Sequence, residues 1–133
     1  MSHLIGTYHC KADPNGRVKL PTALSKQLGG ARQESFVVKR AVFQSCLELY
    51  SFQEWNSLML NVNKLNKFRK KNNDFIRRFT AGVKVVELDA TDRLLIPRDL
   101  ALFAGIDNAV VLSAAVNIIA VSYTHLRAHE TLL

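Results

Sequence analysis

The sequence predicts an α+β fold that is mainly β and in which one structural unit occurs twice. The first observation is a repeated motif: "DPNGRVKLP" at residues 13–21 recurs as "DATDRLLIP" at residues 89–97, with Asp, Arg and Pro each displaced by 76 positions. The second is that the same order of predicted elements surrounds both copies. The third is composition, because 48% of the 133 residues are hydrophobic, which is typical of a packed globular core.

In the first unit, "LIGTYHCKAD" alternates in polarity and predicts a strand, which ends at the turn residues "PNG". "RVKLP" predicts a second short strand, and Pro21 begins a short helix, "TALSKQL", that two glycines end. "ESFVVKRAVFQSCLELYS" is rich in β-branched and aromatic residues, so it predicts two strands joined by a link at residues 39–44.

The second unit repeats this order. "GVKVVELD" predicts a strand, "ATD" a turn, "RLLIP" a strand, "RDLALFAGI" a short helix, and "AVVLSAAVNIIAV" a pair of strands. We interpret the repeat as an internal duplication. The predicted organisation is a first unit at residues 1–52, connecting helices at 53–80 and a second, truncated unit at 81–120.

The connecting segment predicts helices. Apolar residues recur there at spacings of three and four, the pattern of an amphipathic helix: Trp55, Leu58, Met59, Val62, Leu65 and Phe68. A second, shorter apolar face begins with Phe75, Ile76 and Phe79. Residues 64–78 contain seven basic residues and one acidic residue. We favour a solvated helix face here over direct contact with nucleic acid.

Charge and composition limit the class of protein. The net charge of +7 and the pI near 9.7 favour a polyanionic partner. No apolar run is long enough for a membrane span, and the N-terminus lacks the pattern of a secretory signal. Cys10 and Cys46 are too few for a disulfide scaffold and indicate a reducing cytosol. We therefore expect a cytoplasmic protein with no membrane association.

Several motifs in a fixed order resemble the MraZ family. They are "LIGTYHCKADPNGRVKLPTAL", "LELYSFQEWN" and "NNDFIRRFTAGVKVVELDATDRLLIP", and the resemblance spans about residues 4–120. It implies two AbrB-like units in a swapped-hairpin β-barrel, a homo-oligomeric ring, and a nucleoid-associated regulator of transcription. Such a regulator would bind promoter repeats in double-stranded DNA at the division and cell-wall gene cluster. The family usually has Gly where Asp92 stands, and Asp tolerates the same left-handed backbone.

The repeated motif supplies the candidate site residues. A four-residue spacing across a tight turn lets Asp13 and Asp89 bind the turn's backbone N–H groups or the following guanidinium, so we expect both to stabilise their turns. An arginine held in this way can present its other N–H groups to phosphates or to guanine. The resemblance implies a DNA-binding role most strongly for Arg17 and also for Arg93. The residues flanking Arg17, Lys11 and Lys19, are expected phosphate contacts.

Two other functions are weaker fits. Asp13 and Asp89 resemble the acid–base pair of a hydrolase, yet no His, Ser or Cys lies beside them in sequence and no glycine-rich phosphate loop is present. We therefore expect no enzyme, no cofactor and no small-molecule substrate. An antitoxin-like AbrB-fold DNA-binding module is the nearer alternative, but such modules are usually a single unit followed by a toxin-binding tail.

The C-terminal residues depart from the family pattern. We expect residues 121–133, "VSYTHLRAHETLL", to be a non-native tail, because the string resembles one reading frame of a sequencing-library adapter. His125 and His129 have the i,i+4 spacing of a metal pair, but they lack a third ligand, so no metal site is predicted.

Overall fold

The computed structural model describes residues 3–123, which form a mainly β structure with short helices. The first half contains β1 (Leu4–Lys11), β2 (Arg17–Lys19), α1 (Thr22–Leu28), a 3₁₀ turn (Gly29–Gln33), β3 (Phe36–Arg40) and β4 (Leu47–Ser51). Two helices follow, α2 (Phe52–Val62) and α3 (Lys70–Thr80). The second half contains β5 (Lys84–Val86), β6 (Arg93–Leu95), α4 (Arg98–Ala104), β7 (Ala109–Val116) and β8 (Ile118–Ser122).

The strands form two antiparallel sheets. Six of them are ordered β1-β7-β8-β4-β3-β5, and the other two, β2 and β6, pair with each other. Most of the pairs join the two halves of the chain: β1 lies beside β7, β2 beside β6, β3 beside β5, and β4 beside β8. Strands β1 to β4 correspond in order to β5 to β8. If each strand of the six-stranded sheet is exchanged for its counterpart, the same strand order is obtained, read from the opposite edge.

The main core is shared by both halves. It lies between the six-stranded sheet and a layer made by β2, β6, α1 and α4, and it includes buried leucines from both short helices, Leu24 and Leu100. A second cluster, around Val37, Tyr50 and Trp55, lies under α2 and α3. Since neighbouring residues of a strand face opposite sides of a sheet, and Val38 belongs to the main core, α2 and α3 cover the opposite face.

The two short helices lie where the motif predicts them. Pro21 and Pro97 immediately precede α1 and α4, and Gly29 and Gly105 follow them with positive φ angles of 57° and 68°. Glycine adopts such angles without a steric penalty, so it ends a helix readily.

The long amphipathic helix extends less far than its apolar spacing predicts. Trp55 is buried as expected, but α2 ends at Val62, and Phe68 lies in the loop before α3 with its side chain fully exposed. The reason is local, because Asn66 Oδ1 accepts a hydrogen bond from the N–H of Phe68 (3.0 Å) and forms a turn in place of a helix.

Three predicted boundaries also shift. Only residues 84–86 of the predicted strand "GVKVVELD" form β5, and an isolated bridge joins Leu88 to Leu94. Lys39, expected in a link, is a fully buried residue of β3. The strand β8 continues past residue 120 into the expected tail, and its residues Val121 and Ser122 are buried.

The remaining tail expectations, including His125 and His129, lie outside the described residues. Over residues 3–123, the helices are all too short or too polar to cross a bilayer. Within the same range, Cys10 and Cys46 are not joined by a disulfide.

Candidate nucleic-acid interface

Asp13 closes the turn between β1 and β2. Its Oδ1 accepts hydrogen bonds from the backbone N–H groups of Asn15 and Arg17, both at 2.9 Å. The N–H of Asp13 donates to the carbonyl of Arg17 (2.8 Å), and the N–H of Gly16 donates to the carbonyl of Asp13 (2.9 Å). The Asp13 carboxylate therefore accepts two hydrogen bonds from the backbone of the turn. These bonds fix the position of Arg17 at the start of β2.

Asp89 closes the turn between β5 and β6 with the same geometry. Its Oδ1 accepts from the N–H groups of Thr91 (2.9 Å) and Arg93 (3.0 Å). It also accepts from the hydroxyl of Thr91 at 2.9 Å, a bond that has no counterpart in the first turn, where Asn15 stands at this position.

Two backbone hydrogen bonds join the two turns. The N–H of Ile96 donates to the carbonyl of Gly16 (3.0 Å), and the N–H of Leu20 donates to the carbonyl of Asp92 (2.9 Å). Gly16 and Asp92 occupy the same position of the repeated motif, and both have positive φ, 87° and 59°. Asp92 thus adopts the left-handed backbone that glycine would favour, and Arg32 Nη1 lies 3.4 Å from its Oδ2.

The paired strands β2 and β6, here called the ribbon, carry three of the four expected DNA-binding residues. Lys19 lies opposite Arg93, and Arg17 lies opposite Leu95. The central residues of both strands are buried in the main core, so the flanking residues face outward. Lys19 and Arg93 are exposed, and Arg17 is half-buried. The ribbon therefore presents a cationic outer surface.

The two arginines of the ribbon differ in their contacts. Arg93 Nε donates to Asp89 Oδ2 (3.1 Å) and to Thr91 Oγ1 (2.9 Å), and its Nη1 lies 3.7 Å from Asp13 Oδ2. Among residues 3–123, the Arg17 guanidinium forms neither a hydrogen bond nor an ion pair. Both arginines line one groove on the molecular surface. Arg93 is therefore held in place, whereas the Arg17 guanidinium has no such contact among the described residues.

The two hairpins also differ in charge. Lys11 and Lys19 lie on either side of Arg17, whereas the positions 76 residues later are Glu87 and Leu95. Lys11 is exposed at the end of β1, beside a different groove that is lined in part by His9. The structure thus brings Arg17, Lys19 and Arg93 onto one surface, with Lys11 outside the groove that the two arginines share.

The contacts around the turns lower the pKa of both carboxyl groups. The hydrogen bond from the N–H of Arg17 is the main cause at Asp13, and its proximity to Arg17 and Arg93 adds to the effect. At Asp89 the N–H of Arg93 and the bonds from Thr91 lower the pKa from 3.8 to about 2. Both side chains therefore carry negative charge at neutral pH, and both lie beside the Arg93 guanidinium.

Comparison with known proteins identifies the family of the chain. The sequence model of a family described as "MraZ protein, putative antitoxin-like" matches residues 3–78. The chain belongs to the MraZ family. Proteins named "Transcriptional regulator MraZ" are similar to it over most of their length. The one from Christiangramia forsetii is 63% identical over 119 residues, covering 90% of this chain and 77% of that protein.

Other bacteria have similar proteins of the same name. The protein from Flavobacterium psychrophilum is 60% identical over 119 residues, covering 90% of this chain and 76% of that protein. The one from Bacteroides thetaiotaomicron is 35% identical over 120 residues, covering 83% and 77%. The family resemblance seen in the motifs is thereby confirmed.

Two residues around the site of this MraZ-family chain were not predicted. Thr91 holds the Arg93 side chain, and its hydroxyl two positions after Asp89 was the available signal. Arg32 pairs with Asp92, 60 positions away in sequence, and no local pattern indicates that pair.

Proposed function

We propose that this chain is a transcriptional regulator that binds double-stranded DNA through the outer face of the ribbon. The relatives that share 60% and 63% of their aligned residues with it bear the name of a transcriptional regulator. The observation that carries the proposal is the placement of Arg17, whose backbone is fixed by Asp13 and whose guanidinium lies on an open groove. Because its backbone is already fixed, Arg17 loses only side-chain freedom when its guanidinium binds a phosphate or a guanine edge.

The cations have different proposed roles. Arg17 reads a base or binds a phosphate, because its donors are uncommitted within the described residues. Lys19 and Lys11 are flexible point charges, which suits them to phosphates. Arg93 contacts DNA with the guanidinium edge that Asp89 and Thr91 leave open, and its position opposite Lys19 places it on the same surface.

The lowered carboxyl pKa values favour this function over a hydrolase. A general acid needs a raised pKa so that it is protonated near neutral pH. Asp13 and Asp89 shift in the opposite direction, and both are already occupied by backbone N–H groups. Their proposed role is to hold the two turns.

The proposal extends to the assembly and its target. We infer that the two halves are duplicated AbrB-like units that form a swapped-hairpin barrel, which agrees with the interleaved strand order. Copies of the chain form a homo-oligomeric ring in the cytoplasm, at the nucleoid, on promoter repeats of the division and cell-wall gene cluster. A few cations per copy give modest, salt-dependent affinity, and several copies on spaced repeats raise it through effective concentration.

The test is a set of DNA titrations with the organism's own division-cluster promoter and a scrambled duplex, each at several salt concentrations. Arg17→Ala should weaken promoter binding by about 1–3 kcal/mol and reduce the preference over scrambled DNA. Lys19→Ala should weaken both duplexes equally and reduce the salt slope by about 1. Lys26→Ala, which removes an exposed charge on α1, is the matched control. Unchanged promoter affinity in Arg17→Ala would refute the proposed reading site.

A further inference from the structure

We propose that residues 63–71, the loop between α2 and α3 together with the first two residues of α3, form a second nucleic-acid contact, in which basic side chains bind a phosphodiester strand and Phe68 stacks on an accessible base. This loop is called the basic tip below. The inference goes beyond the ribbon and departs from the solvated helix face that the sequence favoured for residues 64–78. It rests on the proposed function only for the choice of nucleic acid as the partner.

Phe68 is the most exposed large apolar side chain among the described residues, with a relative accessibility of 101%. A single exposed aromatic side chain is ordinary at a protein surface, so what distinguishes Phe68 is the charge of the residues around it. Its immediate neighbours in sequence are Lys67 and Arg69, both exposed. The chemistry presented is therefore an aromatic face between two cations.

Asparagine side chains hold the basic tip in one conformation. Asn66 Oδ1 accepts from the N–H of Phe68 (3.0 Å), and Asn72 Nδ2 donates to the carbonyl of Asn66 (2.8 Å). Asn73 Nδ2 donates to the carbonyl of Lys67 (2.7 Å). Because these bonds already order the loop, a partner that contacts Phe68 does not have to supply the free energy of ordering it.

The helix that follows the basic tip is anchored by aromatic packing. The ring of Phe79 stacks parallel to Trp55 with centroids 6.0 Å apart, and Phe75 stacks on Phe79 at 5.4 Å. The buried ammonium of Lys39 lies 4.3 Å from the Phe79 centroid, a cation–π contact. The apolar side of α3 is thus fixed to the body, and its basic side chains remain outside.

The charge of the basic tip has one sign. Its basic residues are all exposed, and residues 63–71 contain no acidic residue: Lys64, Lys67, Arg69, Lys70 and Lys71. Over residues 3–123, none of the five forms an ion pair with a carboxylate. Five exposed cations on so short a segment concentrate positive charge, which attracts a polyanion.

The combination of cations with an aromatic face selects the partner. Sequence-tolerant binding of single strands pairs a basic surface with aromatic side chains, because every base has a π-face. Apolar wedges flanked by Arg, Lys and Asn also enter distorted duplexes from the minor groove. Both sources offer the same chemistry, a phosphodiester strand with an accessible base.

The basic tip is separate from the ribbon. The helices that carry it pack on the second cluster, and the ribbon covers the main core on the other face of the six-stranded sheet. The two surfaces can therefore be tested independently.

The test uses the full chain and a tryptophan probe. Phe68→Trp places an indole at the exposed position, where stacking with a base quenches its emission; the background from the buried Trp55 is measured in the parent protein. The ligands are oligo-dT, a random duplex, the same duplex with a mismatched bubble, and vesicles of anionic phospholipid. Phe43→Trp is the matched control, because Phe43 is also highly exposed (88%) but has no adjacent basic residue.

We expect oligo-dT to quench Phe68→Trp and not Phe43→Trp. Quenching by the intact duplex would identify a wedge, and quenching only by oligo-dT or the bubble would identify a single strand. Phe68→Ala should weaken oligo-dT binding roughly five-fold or more, with Phe43→Ala unchanged. Replacing Lys67, Arg69, Lys70 and Lys71 by Gln should reduce the salt slope by about 0.7 for each phosphate that the variant no longer neutralises.

Three results would overturn the inference: no quenching by any nucleic acid, a blue shift with anionic vesicles alone, or a change in oligomer mass in Phe68→Ala with unchanged affinity. The last would assign the basic tip to contacts between copies of the chain. Arg17→Ala should retain the oligo-dT response at the basic tip, so failure of the ribbon proposal and failure of this one give different results.

Discussion

Arg93 Nη1 lies 3.7 Å from Asp13 Oδ2, so the arginine of the second turn reaches the carboxylate of the first. The same guanidinium is bound to Asp89 within its own turn at 3.1 Å. One side chain thus bridges the two copies of the motif. The reverse contact, from Arg17 to Asp89, is not among the ion pairs of residues 3–123. The two halves share a backbone arrangement and differ in what their arginines do.

The first prediction follows from that bridge. Arg93→Gln should lower the free energy of unfolding by about 0.5–1.5 kcal/mol, because exposed ion pairs and hydrogen bonds contribute modestly. Arg17→Gln is the matched control and should stay within about 0.5 kcal/mol of the parent. Urea denaturation measures both. Equal losses in the two variants would mean that the bridge adds nothing to stability.

The second prediction concerns acid. The folded-state pKa values of Asp13 and Asp89 lie below the ordinary value of 3.8, and that of Asp89 is about 2. Their ionised forms therefore stabilise the fold fully above about pH 4–5. That contribution is lost as the pH falls through the range from about 4 to about 2. Asp89→Asn should flatten the pH dependence of unfolding in this range, and an Asn variant as acid-sensitive as the parent would contradict the assignment.

The third prediction concerns the buried cation. Lys39 Nζ is fully buried, 3.0 Å from Glu48 Oε1 and 2.6 Å from the carbonyl of Arg40. Lys39→Ala should cost about 3–5 kcal/mol, because it leaves a carboxylate without its partner and opens a cavity. The double change Lys39→Met with Glu48→Leu should cost much less. Lys84→Ala, at an exposed position in β5, is the control for loss of a lysine. Thermal or urea unfolding that ranks Lys84→Ala with Lys39→Ala would refute the buried-pair explanation.

The fourth prediction uses two glycines. Gly16 has a φ of 87°, so Gly16→Ala should destabilise the protein by about 1–2 kcal/mol. Gly30 has no positive φ, and a Cβ placed there meets no atom within 4 Å. Gly30→Ala should therefore leave stability unchanged or raise it by about 0.4–1 kcal/mol through the unfolded state. Gly16→Ala should lower the melting temperature and Gly30→Ala should not; a similar decrease in both variants would show that backbone conformation is not the cause.

Local chemistry explains what the sequence predicts well. Asp13, Gly16 and Pro21 act on backbone within a few residues, so the turns and the start of α1 could be located from the motif alone. The pairing of the strands could not be located from local sequence in this way. No local signal states that β1 lies beside β7, because that pairing depends on burial shared by residues far apart in sequence.

The same division between local features and contacts distant in sequence applies to the candidate site. The spacing of Asp and Arg predicts two similar turns, but the different contacts of Arg17 and Arg93 depend on Thr91 and on the distance to Asp13 in space. The regular spacing of apolar residues continues past the end of α2 as far as Phe68. The turn formed by Asn66 ends the helix, but it leaves the spacing of apolar residues in the sequence unchanged. The aromatic residue assigned to a buried face is in fact exposed.

The interleaved strands also govern how the chain acquires its structure during synthesis. Strand β1 leaves the ribosome long before its partner β7, and β2 emerges long before β6. The first half therefore cannot complete either sheet before β5–β8 have emerged. Contacts of such long sequence separation make folding slow, and the unpaired edges stay exposed until β7 and β8 are available. Two chains held close together can exchange halves through the same pairings, because each strand pair that joins the halves can form between two copies as well as within one.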